Sequence, residues 1–268
     1  MKTIYYYQSF VGLDDCLSHV QDIDVIIISS LHFDKDKPGG KEFIYLNDNK
    51  PSDSIFDDLW LQTETLANQG VTIMFMMGGA GGAYTNLFND FETYYPQLVN
   101  LINSKSWIKG IDLDIEETVS LNDAQMLINC LVRDFGKYFI ITMAPISSTL
   151  STDGSSMAGF NYKELYNSEE GKYIHWFNTQ CYESFSFETY HSIITNGYPP
   201  EKIVMGMESG QFDGQTFPVA IHEVIKTQLR YPTMGGVFDW EYLNAPPNEK
   251  DPSQWAKLMK SINIQPLF

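Results

Sequence analysis

Cysteine is scarce in this chain. Cys16, Cys130 and Cys181 are odd in number, far apart and outside any CxxC, which argues against both a disulfide framework and a cysteine zinc site. Positive charge is scarce as well: 17 Lys and Arg stand against 34 Asp and Glu, a formal net charge of -17. Phosphate backbones and anionic membrane surfaces are held by clustered cations, so neither nucleic acid nor a membrane is expected as partner, and a neutral or cationic ligand fits better. No apolar run approaches the ~20 residues of a membrane span. The first ten residues are broken by Gln8 and Ser9 before a secretory h-region forms, so the expected compartment is cytoplasmic unless a signal was removed. Linkers, low-complexity stretches, close internal repeats and the glycine fingerprint of a doubly wound sheet are missing too.

What remains is a chain rich in apolar and aromatic residues. Hydrophobic residues make up 43% and aromatics 14% of 268 residues, enough to fill a large core and leave rings over for a cleft. Strand-like runs fall at 3–7, 24–33, 71–78, 110–116, 138–145, 174–182, 202–207 and 235–240. Helices are expected between them at 53–68, 86–103, 122–135, 217–229 and 252–262, with weaker helical pattern at 13–20 and 162–166. Asp123 and Asp251 suit caps or first turns, and Gly70 and Gly136 suit helix stops. Strand and helix alternating to eight predict an α/β fold, a (β/α)8 TIM barrel, with residues 1–268 forming a single domain and a monomer.

One segment breaks the apolar rule for barrel strands. In Gly110-Ile-Asp-Leu-Asp-Ile-Glu116, the acids Asp112, Asp114 and Glu116 alternate with Ile111, Leu113 and Ile115. Strand side chains alternate between faces, so the three carboxyls align about 6 to 7 Å apart along the interior. Burying carboxylates costs several kcal/mol each, and like charges in a row raise at least one pKa. That is the environment of a general acid, and Glu116 lies nearest the C-terminal rim where barrel active sites sit.

Other strand ends supply candidate binding groups. Met77, Gly78 and Gly79 close the third strand, and glycines there admit a ligand or a neighbouring backbone. Gln180 and Tyr182 share a face at the end of the sixth, and Trp240 ends the eighth as a flat surface for a sugar ring. Phe33 and Tyr7 end their strands similarly, each with a core role as the competing reading.

These residues resemble glycoside hydrolase family 18, the chitinases and endo-β-N-acetylglucosaminidases, whose signature is DxxDxDxE on the fourth barrel strand. Met77-Gly-Gly79 is similar to its SxGG, Met143-Ala-Pro145 to its strand-five segment, Gln180-Cys-Tyr182 to its tyrosine motif and Gly235-Gly-Val-Phe-Asp-Trp240 to its strand-eight tryptophan. The resemblance implies Glu116 as acid/base, Asp114 as the group orienting the substrate acetamido, Asp112 as the charge tuning Asp114, Tyr182 as its carbonyl's hydrogen-bond donor and Trp240 as the subsite floor. Met143, Gln180, Gly78, Gly79, Phe33, Tyr7 and Glu183 are the further candidates for the substrate-binding surface. Three positions depart from the pattern: Lys109 stands at the first acidic position, Met77 at the serine, and Glu183 where the family has Asp or Asn. By its strand parity Lys109 is expected to matter structurally, whereas Glu183 would shift the subsite or the pH optimum.

Only about 27 residues separate Met207 from Gly235, too few for the α+β insertion of some relatives, which predicts a shallow groove and internal cleavage. The expected activity is hydrolysis of β-1,4-linked N-acetylglucosamine in chitin by a retaining, substrate-assisted mechanism, without cofactor or metal. The competing readings are cleavage of the chitobiose core of N-glycans, a non-catalytic lectin on the same barrel, and a Mg2+ or Mn2+ site at the three acids.

Overall fold

The computed structural model describes residues 1–34, 43–154 and 156–262. Its strands are β1 (Lys2–Tyr7), β2 (Val25–Asp34), β3 (Phe43–Leu46), β4 (Thr72–Gly78), β5 (Ile108–Asp114), β6 (Ile140–Met143), β7 (Ile174–Gln180), β8 (Ile203–Glu208) and β9 (Gly236–Trp240). Eight of them pair in parallel, in the order β1-β9-β8-β7-β6-β5-β4-β2, and β1 pairs again with β2 to close the ring. The result is the expected (β/α)8 barrel. The ninth strand, β3, was not expected; it pairs antiparallel with the far end of β2 and extends that strand above the rim.

The expected helices at 53–68, 122–135, 217–229 and 252–262 form as Asp57–Asn68, Leu121–Phe135, Phe217–Arg230 and Ser253–Ser261. Ser120 caps the second of these, accepting from Asp123 N while its hydroxyl donates to the Asp123 carboxylate. The stretch expected as one helix at 86–103 is two, Ala83–Asn89 and Phe91–Ser104, because Asp90 at φ -148° leaves the helical region. A helix at Phe187–Thr195 went unseen: its sequence, FETYHSIIT, is rich in β-branched and aromatic residues of low helix propensity, and the Ser186 cap and packing override that preference.

Two apolar layers result. The larger lies between strands and helices and holds Tyr5, Tyr7, Ile111, Leu113, Ile115, Phe33 and Met143. The smaller fills the barrel with Ile4, Tyr6, Val25, Ile27, Met74, Met76, Trp176, Val204 and Phe238. Glycine makes the inner layer fit at one point. A Cβ at Gly206 on β8 would stand 1.9 Å from the Phe238 ring, whose bulk occupies the side-chain space that β8 leaves empty. From β8 the chain passes directly to the helix at Phe217–Arg230 and then to β9, with no α+β insertion between them.

This contact gives a stability test. Gly206→Ala is expected to cost ~2 to 3 kcal/mol by overpacking, and Phe238→Leu in the same chain should recover part of that loss. Urea unfolding of the two single variants and the double variant measures the coupling; strictly additive losses would mean that the two positions do not compete for space.

Candidate active site

The acidic column is built from the inside of β5. Gly110, Asp112 and Asp114 face the interior, and the strand ends at Asp114, two residues earlier than its alternation predicts. Ile115 and Glu116 lie beyond it, so Glu116 stands on the segment leaving the rim while Asp114 stays within the ladder.

Asp112 is fully buried and held by three other strands. Tyr6 Oη on β1 donates to Oδ2 at 2.7 Å, and Thr142 Oγ1 on β6 and Asn178 Nδ2 on β7 donate to Oδ1, the latter at 3.0 Å. Burial raises the Asp112 carboxyl above its ordinary range, and the three donors oppose that shift. One turn of the pleat higher, burial first, then the Glu116 and Asp112 carboxylates, push Asp114 well above that range, opposed by Gln180. Gln180 ties this column to the rim. Its Nε2 lies 3.2 Å from Asp114 Oδ1, 3.2 Å from Glu116 Oε1 and 2.9 Å from the Ala144 carbonyl.

Asp114, Glu116 and Gln180 line a cavity of about 310 Å³ at the C-terminal mouth, together with Gln8, Ser30, His32, Met76, Gly78, Gly79, Ala80, Tyr182 and Trp240. The Tyr182 hydroxyl has no hydrogen-bond partner among the described residues, and burial, then the Asp114 charge, raise its pKa well above the ordinary phenol value. Trp240 packs edge-on against Tyr6 with ring centroids 5.3 Å apart, leaving part of the indole open to the cavity. Gly78 and Gly79 sit under the end of β5. A Cβ at Gly78, where φ is 103°, would fall 2.1 Å from the Asp114 carbonyl, and Gly79 N donates to that same oxygen at 2.9 Å.

Of the residues expected from sequence, Asp114, Glu116, Gly78, Gly79, Gln180, Tyr182 and Trp240 thus meet at one cavity, with Asp112 directly beneath. Four do not join them. Met143 and Tyr7 point outward into the helix-facing layer, Tyr7 Oη accepting from Gly12 N, because Thr142 and Gln8 take the inward positions of their strands. Phe33 also faces outward, against Tyr94. The cause is a bulge: Ile28 pairs with Phe75 and Leu31 with Met77, three residues of β2 against two of β4, which reverses the parity beyond it. Ser30 and His32 turn inward instead, 2.6 Å apart through Ser30 Oγ and His32 Nε2. Glu183 is exposed outside the cavity. The anchors Tyr6, Thr142 and Asn178 and the lining residues Gln8, Ser30, His32, Met76 and Ala80 were missed; inward parity on Thr142, Asn178 and Tyr6 was the available signal.

Two solved structures resemble the chain over nearly its whole length. A fungal endo-β-N-acetylglucosaminidase from glycosyl hydrolase family 18 is 30% identical, with a TM-score of 0.85 and 98% of each chain covered. A chitinase from Aspergillus fumigatus is 31% identical, with a TM-score of 0.82, covering 97% of this chain and 98% of its own. The chain belongs to glycoside hydrolase family 18. A family 18 chitinase from Pseudoalteromonas aurantia, 22% identical with a TM-score of 0.73, shares the fold. No family model matches the sequence, and no curated protein does.

The departures from the family 18 signature lie away from the cavity. Lys109 is exposed and donates to the Ser106 carbonyl at 2.8 Å at the opposite end of β5, and Met77 packs in the outer layer. Glu183 has φ 58°, in the left-handed region where Asn and Asp are enriched, so the position selects for backbone conformation. Glu117, next to the Glu116 of the signature, turns away from the cavity to accept from Tyr84 N at 2.7 Å and Thr85 N at 2.9 Å at the start of a helix.

The buried Asp114 predicts a pH dependence of stability. With its folded pKa raised, the native state holds a proton that the unfolded chain gives up above about pH 4, so stability falls as pH rises from there through the folded pKa. Asp114→Asn removes this term, and its melting temperature should exceed wild type near neutral pH, the gap closing towards about pH 4. Calorimetry across that range checks the sign; a gap widening in acid would contradict it.

Proposed function

We propose that this family 18 chain hydrolyses β-1,4-linked N-acetylglucosamine in chitin and chitooligosaccharides with retention of configuration, the substrate's own N-acetyl oxygen acting as nucleophile. One observation carries the reading: among the described residues both carboxyls lining the cavity come from the end of β5 and converge on the same amide nitrogen of Gln180. Glycosidases with a nucleophile or base of their own set a second carboxylate across the scissile bond, about 5 to 9.5 Å from the acid. Asp114 is ill suited to that task, since it is buried, and its burial and the two neighbouring carboxylates disfavour the ionised form. The attacking oxygen must then come from the substrate, as in the family 18 exception to the two-carboxylate rule.

In this scheme Glu116, half-buried at the rim, donates its proton to the leaving glycosidic oxygen while the acetamido oxygen closes on the anomeric carbon. Asp114 orients the acetamido group, and the unpartnered Tyr182 hydroxyl donates to its carbonyl oxygen. The Asp112 carboxyl, whose two oxygens accept from three donors, supplies the negative charge beneath the oxazolinium ring as it develops. Glu116 then takes a proton from the water that opens the ring. Two inversions at one carbon restore its configuration. Trp240 supplies the apolar face under the sugar, and the absence of an insertion after β8 suits a groove entered from the side, hence internal cleavage.

Incubation with chitooligosaccharides and, in parallel, with a high-mannose glycoprotein, followed by mass analysis, tests the substrate. Chitin fragments are the expected product, cleavage of the glycoprotein alone would move the activity to the chitobiose core, and no product from either would leave a lectin. Proton NMR of the first product should show the β-anomer; an α-anomer, or efficient cleavage between two deacetylated units, would exclude the acetamido nucleophile.

Glu116→Gln should abolish turnover with the fold intact, whereas Glu117→Gln, outside the cavity, should keep most of it. Trp240→Ala should weaken oligosaccharide binding by roughly 1 to 3 kcal/mol, by analogy with aromatic stacking under bases. Titration calorimetry beside circular dichroism reads that loss, and unchanged affinity in a folded variant would remove Trp240 from the site.

A further inference from the structure

Among the described residues three Asp side chains are buried, and the reaction above uses only two of them, Asp112 and Asp114. The third is Asp239 on β9, paired in register with Tyr5 of β1 and Met207 of β8 and followed directly by Trp240. Its Oδ2 lies 2.6 Å from Ser209 Oγ, just past β8, and Ser209 Oγ lies 2.6 Å from the Glu241 backbone carbonyl. Ser209 N donates in addition to the Trp240 carbonyl. Asp239 Oδ1 is buried with no donor among the described residues.

The protons in this chain of oxygens can be counted. A serine hydroxyl carries one proton, and a backbone carbonyl only accepts. If Ser209 gives its proton to Glu241 O, the contact to Asp239 Oδ2 needs a second proton, which only Asp239 can supply. If Ser209 gave it to an ionised Asp239 instead, the Glu241 carbonyl would face hydroxyl lone pairs at 2.6 Å, and Oδ1 would be a bare anion in the core. Only a protonated Asp239 satisfies both contacts.

We propose that Asp239 is a positioning residue for Trp240: as a carboxylic acid it donates to Ser209 Oγ, which donates to the Glu241 carbonyl, so that Ser209 clamps the backbone at and just beyond the tryptophan. The surroundings agree. Burial pushes the Asp239 carboxyl well above its ordinary range, and the Glu241 charge adds to it. The other titratable groups in range, Tyr5 on β1 and Tyr182 past β7, bring no positive charge to hold an anion there. The clamp also reaches the segment after the neighbouring strand β1, since the Glu241 carboxylate accepts from Gln8 N at 3.1 Å and Ser9 N at 3.3 Å. Asp239 never meets the sugar, and its role rests on the reading of Trp240 as a sugar platform.

Two measurements test the proposal, one independent of any sugar. The infrared difference spectrum of wild type minus Asp239→Asn at neutral pH should contain a carboxylic-acid C=O stretch; a carboxylate signal in its place overturns the proposal. In a Glu116→Gln background, which stops turnover, calorimetry with chitotetraose should give Asp239→Asn an affinity within about twofold of its parent, because the amide N–H still donates to Ser209. Asp239→Leu and Ser209→Ala should lose about tenfold, within the range of a displaced stacking ring. Parent-like binding by both of these variants overturns the proposal, and Ser209→Ala decides alone if Asp239→Leu does not fold. If even the parent fails to bind chitotetraose, the sugar reading fails instead. Trp240 emission, taken as the difference from Trp240→Phe, then serves as the readout: it should shift in Ser209→Ala and stay in place in Asp239→Asn, and an unshifted Ser209→Ala overturns the clamp.

Discussion

The site depends on a carboxyl group placed where a barrel ordinarily keeps hydrocarbon. Asp112 is out of reach of water, and its two oxygens are served by Tyr6 from β1, Thr142 from β6 and Asn178 from β7. A buried acid with satisfied oxygens is tolerable, whereas one that loses a donor costs several kcal/mol. The four strands are therefore held in one register by a single polar node, which fixes the height of everything stacked above it.

Above Asp112 the column changes character with depth. Asp114 retains the burial but among the described residues receives only the Gln180 amide, and it feels two carboxylates, so its pKa is pushed well above the ordinary range. Glu116 leaves the ladder altogether and is tethered by the same amide at the edge of the cavity. Alternation along one strand thus yields three acids in three environments, because solvation and donor count change with each step towards the rim. Packing below keeps the arrangement directional. Phe238 in the space left by Gly206, with Met74, Trp176 and Val204, fills the interior with apolar bulk, so solvent and substrate meet these acids from the C-terminal mouth.

Where the sequence was legible, one periodicity acted alone. Asp112 and Asp114 on β5, Gln180 on β7 and Trp240 on β9 follow the two-residue repeat of a strand, and all but the deeper Asp112 line the cavity. Where a second constraint intervened, the reading shifted. The bulge in β2 traded Phe33 for Ser30 and His32, a change invisible without the pairing partner in β4. Tyr7 and Met143 were chosen for standing at strand ends, but parity hands those inward places to Gln8 and Thr142. The helix at Phe187–Thr195 is written in residues that prefer strands, and only its packing decides otherwise.

The early end of β5 has a consequence for the chemistry. Had the ladder continued to residue 116, Glu116 would share the depth and donor supply of its neighbours, and three acids in a row would compete for protons in one dry environment. Ending the strand at Asp114 lets the Asp114 carbonyl turn to Gly79 N, in a space that any side chain at Gly78 would close, and it carries Glu116 out to the wall of the cavity. A group that must give up a proton and regain one from water needs that access, while the acid beneath it needs the reverse. Gly78 at the end of β4, Gly79 just after it and the termination of β5 are therefore one structural fact. The close approach at the end of the strand separates an acid on the wall of the cavity from one buried beneath it.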